Sequence, residues 1–348
     1  MKSVEFIIVG NGLAGTLLAF EMFQNNIDFR IVSSPEKGRA TEVAAGLFNP
    51  LVFKRLTKSW LADELLPVMK NKYRELENFL GTNFYFEKDI LKPLSEQEKQ
   101  VWLERKATTV FSGYIHSVED LSPVKSLAEA AGYGRVTGSG NVNLKKFLET
   151  SDTFFRRNEL MIETNFDFHP IDPLSDDFEI KGVKSSHIVF CEGAHVVRNP
   201  FFRFLKMVPA KGEILLVHAP NLSENYILNK AVFVLPIGGQ KFKIGSTYEW
   251  NDLTEIPTTE GKNSIVERFG KLTSADYSIE VHLAGIRPTV ADRRPVLGIH
   301  PHFNRLSVFN GLGTKGVMLA PFFAREMLKM LTNRNHRIMN EVDIARFL

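Results

Sequence analysis

Three glycines near the start of the chain carry the most specific chemistry in the sequence. Gly10, Gly12 and Gly15 stand in the run Gly10-Asn11-Gly12-Leu13-Ala14-Gly15. Each has a task at that spacing: Gly10 turns the chain, Gly12 lets backbone approach a diphosphate, and Gly15 lets a helix pack close on a strand. A helix opening near Leu13 aims free amide N–H groups and its positive dipole end at the same place, so an anionic nucleotide cofactor is stabilised there. The competing reading is a glycine-rich turn in some other α/β protein. Elsewhere, residues that do chemistry are sparse. His300-Pro301-His302 lacks the further ligands a metal site needs, and no serine, histidine and aspartate signature is present. Cys191 sits in an apolar run, where a thiol is an inert core residue.

The elements that must position those glycines are legible around them. Residues 4–9 form an apolar run suited to a strand, an apolar helical pattern extends to Phe23, and residues 29–32 read as a second strand. At the end of that strand a nucleotide site places an acidic residue to hold the ribose. Here the positions are Ser33 and Ser34, whose hydroxyls bond a ribose without charge-assisted strength, so weaker ribose recognition is expected.

The chain has 348 residues, enough for two domains and a large core. A net charge of +3 is too small to argue for nucleic acid, and the single cysteine precludes an internal disulfide and fits a reducing compartment. The first apolar run contains Glu5 and is broken by Gly10, so it reads as neither a signal segment nor a membrane span. A soluble cytoplasmic protein is expected.

Further along, residues 58–80 show a helical apolar pattern in which Pro67 predicts a kink or a break. Residues 97–105 predict a short helix. Ile188, Val189, Phe190 and Cys191 are uniformly apolar, as in a parallel strand covered on both faces. From Pro209 onward, β-rich runs separated by turn residues predict an antiparallel sheet, followed by a helix over 258–272.

The run of residues 40–50, ATEVAAGLFNP, resembles the segment after the second strand in the glycine oxidase and D-amino-acid oxidase family of FAD enzymes, where it passes along the isoalloxazine ring. The likeness covers nearly the whole chain, with specific motifs at residues 7–15, 40–50, 209–260 and 284–321. It implies an α/β fold: a Rossmann-type FAD-binding domain (residues 1–60, 138–208 and 284–348) with an inserted antiparallel-sheet α+β substrate domain (residues 61–137 and 209–283). It implies FAD, held without a covalent link. Gly10, Gly12, Leu13, Ala14 and Gly15 would serve the diphosphate, and Ser33 and Ser34 the ribose. Ala40 and Thr41 would lie by the pyrophosphate, and Ala45, Gly46 and Leu47 near the flavin. Gly193 would turn the chain under the cofactor, and Gly311, Gly313, Thr314, Lys315 and Gly316 would complete the site from the other end of the sequence.

By the same resemblance Arg287, in the turn Gly285-Ile286-Arg287-Pro288, pairs with a substrate carboxylate, a planar partner that two parallel N–H bonds both hold and orient. The alternative is a structural arginine tied to backbone carbonyls or to Asp292. Lys315 would add a cation where negative charge develops on the reduced ring, aided by the N-terminus of the following helix. Two residues depart from the family pattern. Glu192 replaces a small residue, and Phe233 replaces the tyrosine whose hydroxyl assists carboxylate binding in glycine oxidases, leaving Tyr248 or Tyr226 as substitutes. The activity implied is oxidation of a C–N bond in a small amino acid or secondary amine, by hydride transfer to flavin N5, with oxygen or another electron acceptor and no membrane partner.

Two other readings share the fold. Residues 311–321 also resemble the FAD domain of the enzyme that trims carboxymethylaminomethyl groups on the tRNA wobble uridine, which would grip RNA through a basic surface. Lys54, Arg55, Lys58, Arg334, His336 and Arg337 are the candidates for such a tRNA contact. The third reading is a non-catalytic flavoprotein, to which Ser33 and Phe233 would belong.

Overall fold

The computed structural model describes residues 2–35, 38–333 and 335–348. Glu36 and Arg334, the latter named above among the basic candidates, lie outside the described residues. A seven-stranded sheet carries the glycine run. Its order is Met161–Glu163, Phe29–Ser33, Lys2–Val9, Val183–Phe190, Leu306–Asn310 and Val296–Ile299, with Phe178–Ile180 paired to Val183–Phe190. The strands from Met161–Glu163 through Leu306–Asn310 are parallel, and Val9 stands level with both Val32 and Phe190. Strand ends therefore converge where Gly10 leaves the sheet.

The uniform apolarity of Ile188, Val189 and Phe190 has its cause in that arrangement. Val189 packs with Ile8 and Leu17 on one face of the sheet, while Ile188 and Phe190 pack with Ile7 and Val9 on the other. The helix Leu13–Gln24 is buried from Leu13 to Met22, because the sheet lies on one side of it and the helix Gly316–Thr332 packs on another.

An eight-stranded sheet stands beside this one. Its order is Ser278–Arg287, Ala210–His218, Lys241–Gly245, Phe233–Gly238, Ile227–Asn229, Ile90–Leu94, Gly132–Val136 and Ile115–Glu119. It is antiparallel as expected from sequence, except that Ile227–Asn229 and Ile90–Leu94 run parallel. The strand Ser278–Arg287 delivers Arg287 level with Ala210. Pro67 neither breaks nor ends its helix, which runs from Ala62–Leu80. The buried row Leu65, Met69, Tyr73 and Leu76 seats that helix, and the Tyr73 hydroxyl donates to the Val317 carbonyl at 3.2 Å.

One side chain of the parallel sheet makes stability pH-dependent. His187 lies between strands with Nε2 2.7 Å from Ser307 Oγ, and burial, with a smaller effect from the Arg305 charge, pushes its pKa down to about 4. Between about pH 6.5 and 4 the unfolded chain binds a proton that the folded protein refuses, so stability falls as pH falls through that window. Urea melts across this range are expected to show that slope in the wild type, and a shallower one in His187→Gln.

Candidate active site

The two sheets enclose a cavity of about 790 Å³, within the ~300–1,000 Å³ common for small-molecule and cofactor sites. At its nucleotide end Gly10 has φ +106°, and a Cβ there would come 2.5 Å from the Cys191 carbonyl oxygen, so the turn requires glycine. Gly15 does not line the cavity. A Cβ on it would meet the Gly10 carbonyl oxygen at 1.9 Å, so its task is the close helix packing expected of it. Gly12 differs: it has φ −74°, which any residue adopts, and an added Cβ would meet nothing nearer than Thr41 Oγ1 at 3.6 Å. That volume belongs to the cavity.

The helix beginning at Leu13 has no side-chain cap and no acidic residue in its first turn, so its positive end faces the cavity uncompensated. Thr41 Oγ1 accepts from the Leu13 N–H at 3.2 Å, and Ala40 and Thr41 line the wall beside it. Arg39, which sequence reasoning missed, also lines this end and is held in place by Asp152. Its Nη1 pairs with Asp152 Oδ2 at 2.7 Å, and Asn11 Nδ2 donates to Asp152 Oδ1 at 3.1 Å. Those partners lie more than a hundred residues apart in sequence, so no local signal links them. These features suit a diphosphate: volume at Gly12 and helix amides, with the Arg39 guanidinium, paired to both Asp152 and Glu42, close by.

Ser33 is buried at the strand end and does not reach the cavity, whereas Ser34 lines it. Alternation along a strand sends neighbours to opposite faces, and the Ser34 hydroxyl is engaged with the Asn165 side chain. Ala45, Gly46, Leu47, Gly193, Gly313, Thr314 and Gly316 line the cavity, and so do Leu13 and Ala14. Gly311 and Lys315 do not. Gly311 has φ +71° and shapes the turn behind the wall. Lys315 precedes the helix Gly316–Thr332 and turns its ammonium to Ser59 Oγ; burial pushes its pKa down to about 8. Cys191 is buried, and burial raises its thiol pKa strongly, consistent with an inert thiol.

Arg287 lines the other end. Its Nη1 donates to the Lys211 carbonyl at 3.1 Å, and its Nη2 donates to Ser246 Oγ at 2.7 Å and to the Thr247 carbonyl at 3.2 Å. The Tyr248 ring lies over the guanidinium, 4.2 Å from Cζ. Gly212 makes room: a Cβ there would sit 2.0 Å from Nη2. The structural alternative is thus half realised, through carbonyls and not through Asp292, which pairs with Arg346 at 2.9 Å. Among the described residues no carboxylate pairs with Arg287, and burial pushes its pKa down. A largely enclosed cation at the wall of a cavity, lacking an anion of its own, has the chemistry to receive one.

Phe233 and Tyr248 both line the cavity. Tyr226 lies elsewhere, under Arg135 at 5.7 Å. His300 uses its ring on backbone, with Nδ1 accepting from the His302 and Phe303 N–H groups at 3.1 Å. Of the basic candidates, Lys58 pairs with Asp63 and His336 with Glu326. Among the described residues no helix is long and apolar enough to cross a membrane.

A family model described as FAD dependent oxidoreductase (DAO) matches residues 5–330. A glycine oxidase of Bacillus subtilis is 21% identical over 350 residues, covering 96% of this chain and 94% of that protein. A glycine oxidase of Pseudomonas aeruginosa is 24% identical, covering 95% and 96%. Among solved structures, an iminodiacetate oxidase from Chelativorans sp. BNC1 superposes with a TM-score of 0.81 at 18% identity, over 97% of this chain and 98% of that one.

Proposed function

The chain belongs to the DAO family of FAD-dependent oxidoreductases, and we propose that it oxidises the C–N bond of a small amino acid or secondary amine that bears a carboxylate. The observation that carries this reading is Arg287, a cation on the cavity wall with no acidic partner among the described residues. Glycine oxidases and an iminodiacetate oxidase among the relatives act on substrates of that class, as their names state.

FAD, when bound, supplies a two-electron acceptor for hydride leaving the carbon next to nitrogen. Gly10, Gly12, the Leu13 helix end, Thr41 and Arg39 would hold its diphosphate, and residues 44–47 would lie along the ring. Arg287 would fix the substrate carboxylate, and with it the distance from the reacting carbon to the acceptor. Phe233 and Tyr248 would wall that end against water. The helix Gly316–Thr332 would place its positive end where charge develops. The imine product then leaves and hydrolyses in water. The domain division that goes with this reading assigns residues 1–60, 138–208 and 284–348 to the cofactor and residues 61–137 and 209–283 to the substrate.

The test compares N-methylglycine and other α-amino acids with the same amines lacking the carboxylate. The amino acids are expected to react at least about 100-fold better in kcat/KM, the loss that follows from leaving a buried charge unpaired. Equal rates would show that Arg287 does not hold a substrate carboxylate. A companion variant, Phe233→Tyr, adds a hydroxyl at the same wall. One added hydrogen bond of about 1 kcal/mol should lower KM for glycine roughly fivefold, as steady-state kinetics on the two proteins would show.

A further inference from the structure

Lys211 is wholly enclosed, with no exposed surface, yet the proposed chemistry does not touch it. Its ammonium lies 3.9 Å from Glu213 Oε1 on its own strand and reaches three groups on one loop: the Asp252 carboxylate, Thr254 Oγ1 at 3.4 Å and the Ile256 carbonyl. Its backbone N–H donates to the Glu249 carbonyl at 2.7 Å, and its carbonyl accepts from the Glu249 N–H at 3.1 Å. The same carbonyl accepts from Arg287 Nη1 at 3.1 Å. Two residues on, Glu213 is also buried and takes the far end of the loop, accepting from the Thr258 N–H at 2.9 Å and the Thr258 hydroxyl at 2.8 Å.

The loop so pinned, residues 249–257, forms one edge of the cavity. Leu253, Thr254 and Glu255 line it, and Glu255 reaches across to the nucleotide side, its Oε2 2.7 Å from where a Cβ on Gly38 would stand. At its start is Tyr248, the ring that covers Arg287. Enclosing an ammonium is costly, and a well-packed apolar side chain would serve stability as well or better. What an apolar side chain lacks is three donors directed at a single loop.

We infer that Lys211 is a positioning residue that straps residues 249–257 over the cavity and thereby holds the Tyr248–Arg287 pair in the geometry that receives a carboxylate. This rests on the reading of Arg287 given above. If the strap is released at Asp252, Tyr248 is held only through the Glu249–Lys211 backbone pair, so the ring is less firmly fixed over the guanidinium and carboxylate affinity falls although Arg287 remains. Water also enters at the loop, which further weakens a charge-assisted pair.

The experiment uses the FAD-loaded protein and acetate as a carboxylate probe that cannot be oxidised, read as a perturbation of the flavin absorbance. Arg287→Ala, Lys211→Met and Asp252→Asn are compared with wild type. Asp252→Asn leaves Lys211 intact, keeps an oxygen for the Thr254 N–H and hydroxyl and removes the charge facing the ammonium, so it decides the matter where Lys211→Met does not fold. The expected result is an acetate Kd raised about tenfold in Asp252→Asn, KM for the amino-acid substrate raised in parallel with kcat changed less than about threefold, and faster limited proteolysis within residues 249–257. Wild-type acetate binding and KM in both strap variants, with binding lost in Arg287→Ala, would overturn the role of Lys211 and leave the carboxylate reading standing. Acetate binding retained in Arg287→Ala would overturn the carboxylate reading itself.

Discussion

Arg287→Ala is expected to fold, keep its FAD and lose turnover of carboxylate-bearing amines, with kcat/KM down by roughly two to three orders of magnitude. The size follows from removing one partner of an enclosed charge pair, which costs ~2–5 kcal/mol. Part of that loss lies in the protein: the Lys211 and Thr247 carbonyls and Ser246 Oγ lose their donor. Arg287→Lys should recover little, because a point charge cannot hold two carbonyls, a hydroxyl and a planar carboxylate at once. Flavin retention with steady-state kinetics checks this. A variant that keeps wild-type kcat/KM would show that the carboxylate is held elsewhere.

Gly12→Val is expected to separate folding from cofactor binding. The position has φ −74° and lines the cavity, and an added Cβ would meet only Thr41 Oγ1, at an ordinary contact distance of 3.6 Å, so the fold accepts a side chain there. The space it fills is the diphosphate's, and FAD affinity should drop by at least about 100-fold, the equivalent of two or more charge-assisted hydrogen bonds. Gly15→Val gives the contrast, because its Cβ would collide with the Gly10 carbonyl oxygen at 1.9 Å. That variant should lose thermal stability whether or not FAD is supplied. Circular dichroism melts and fluorescence titration with FAD distinguish the two, and a Gly12→Val protein that binds FAD normally would move the diphosphate away from this turn.

The parts of this architecture that were legible in the sequence are those fixed by local chemistry. The glycine run announced a strand, a turn and a helix because each glycine answers a constraint within a few residues of itself. The uniform apolarity of Ile188, Val189 and Phe190 announced a strand covered on both faces, which their two core clusters bear out. What sequence could not give was set by pairs distant along the chain. Arg39 finds Asp152, Arg287 finds Ser246, and Tyr248 in preference to Tyr226 reaches the cavity.

Ser33 and Lys315 stand next to the cavity with their side chains turned away from it, a direction that sequence does not encode. One turns into the strand's buried face, and the other turns toward Ser59. Pro67 sits in a helix whose buried row outweighs one absent N–H. Lys211 and Glu213 left a signal that went unused: two charged residues, two apart, inside a strand otherwise apolar enough to be buried. Charges in that setting need partners: Lys211 and Glu213 face each other, Glu213 also meets His282, and Lys211 also reaches the loop beside Arg287.

On this reading the fold holds FAD and presents a carboxylate-anchored amine to it. The most direct test is the absorbance spectrum of the purified protein, followed by anaerobic addition of glycine, N-alkyl glycines and larger amino acids. Oxidised-flavin bands are expected that bleach with at least one of these compounds and fail to bleach with it in Arg287→Ala. Flavin bands that no carboxylate-bearing amine reduces would contradict this reading.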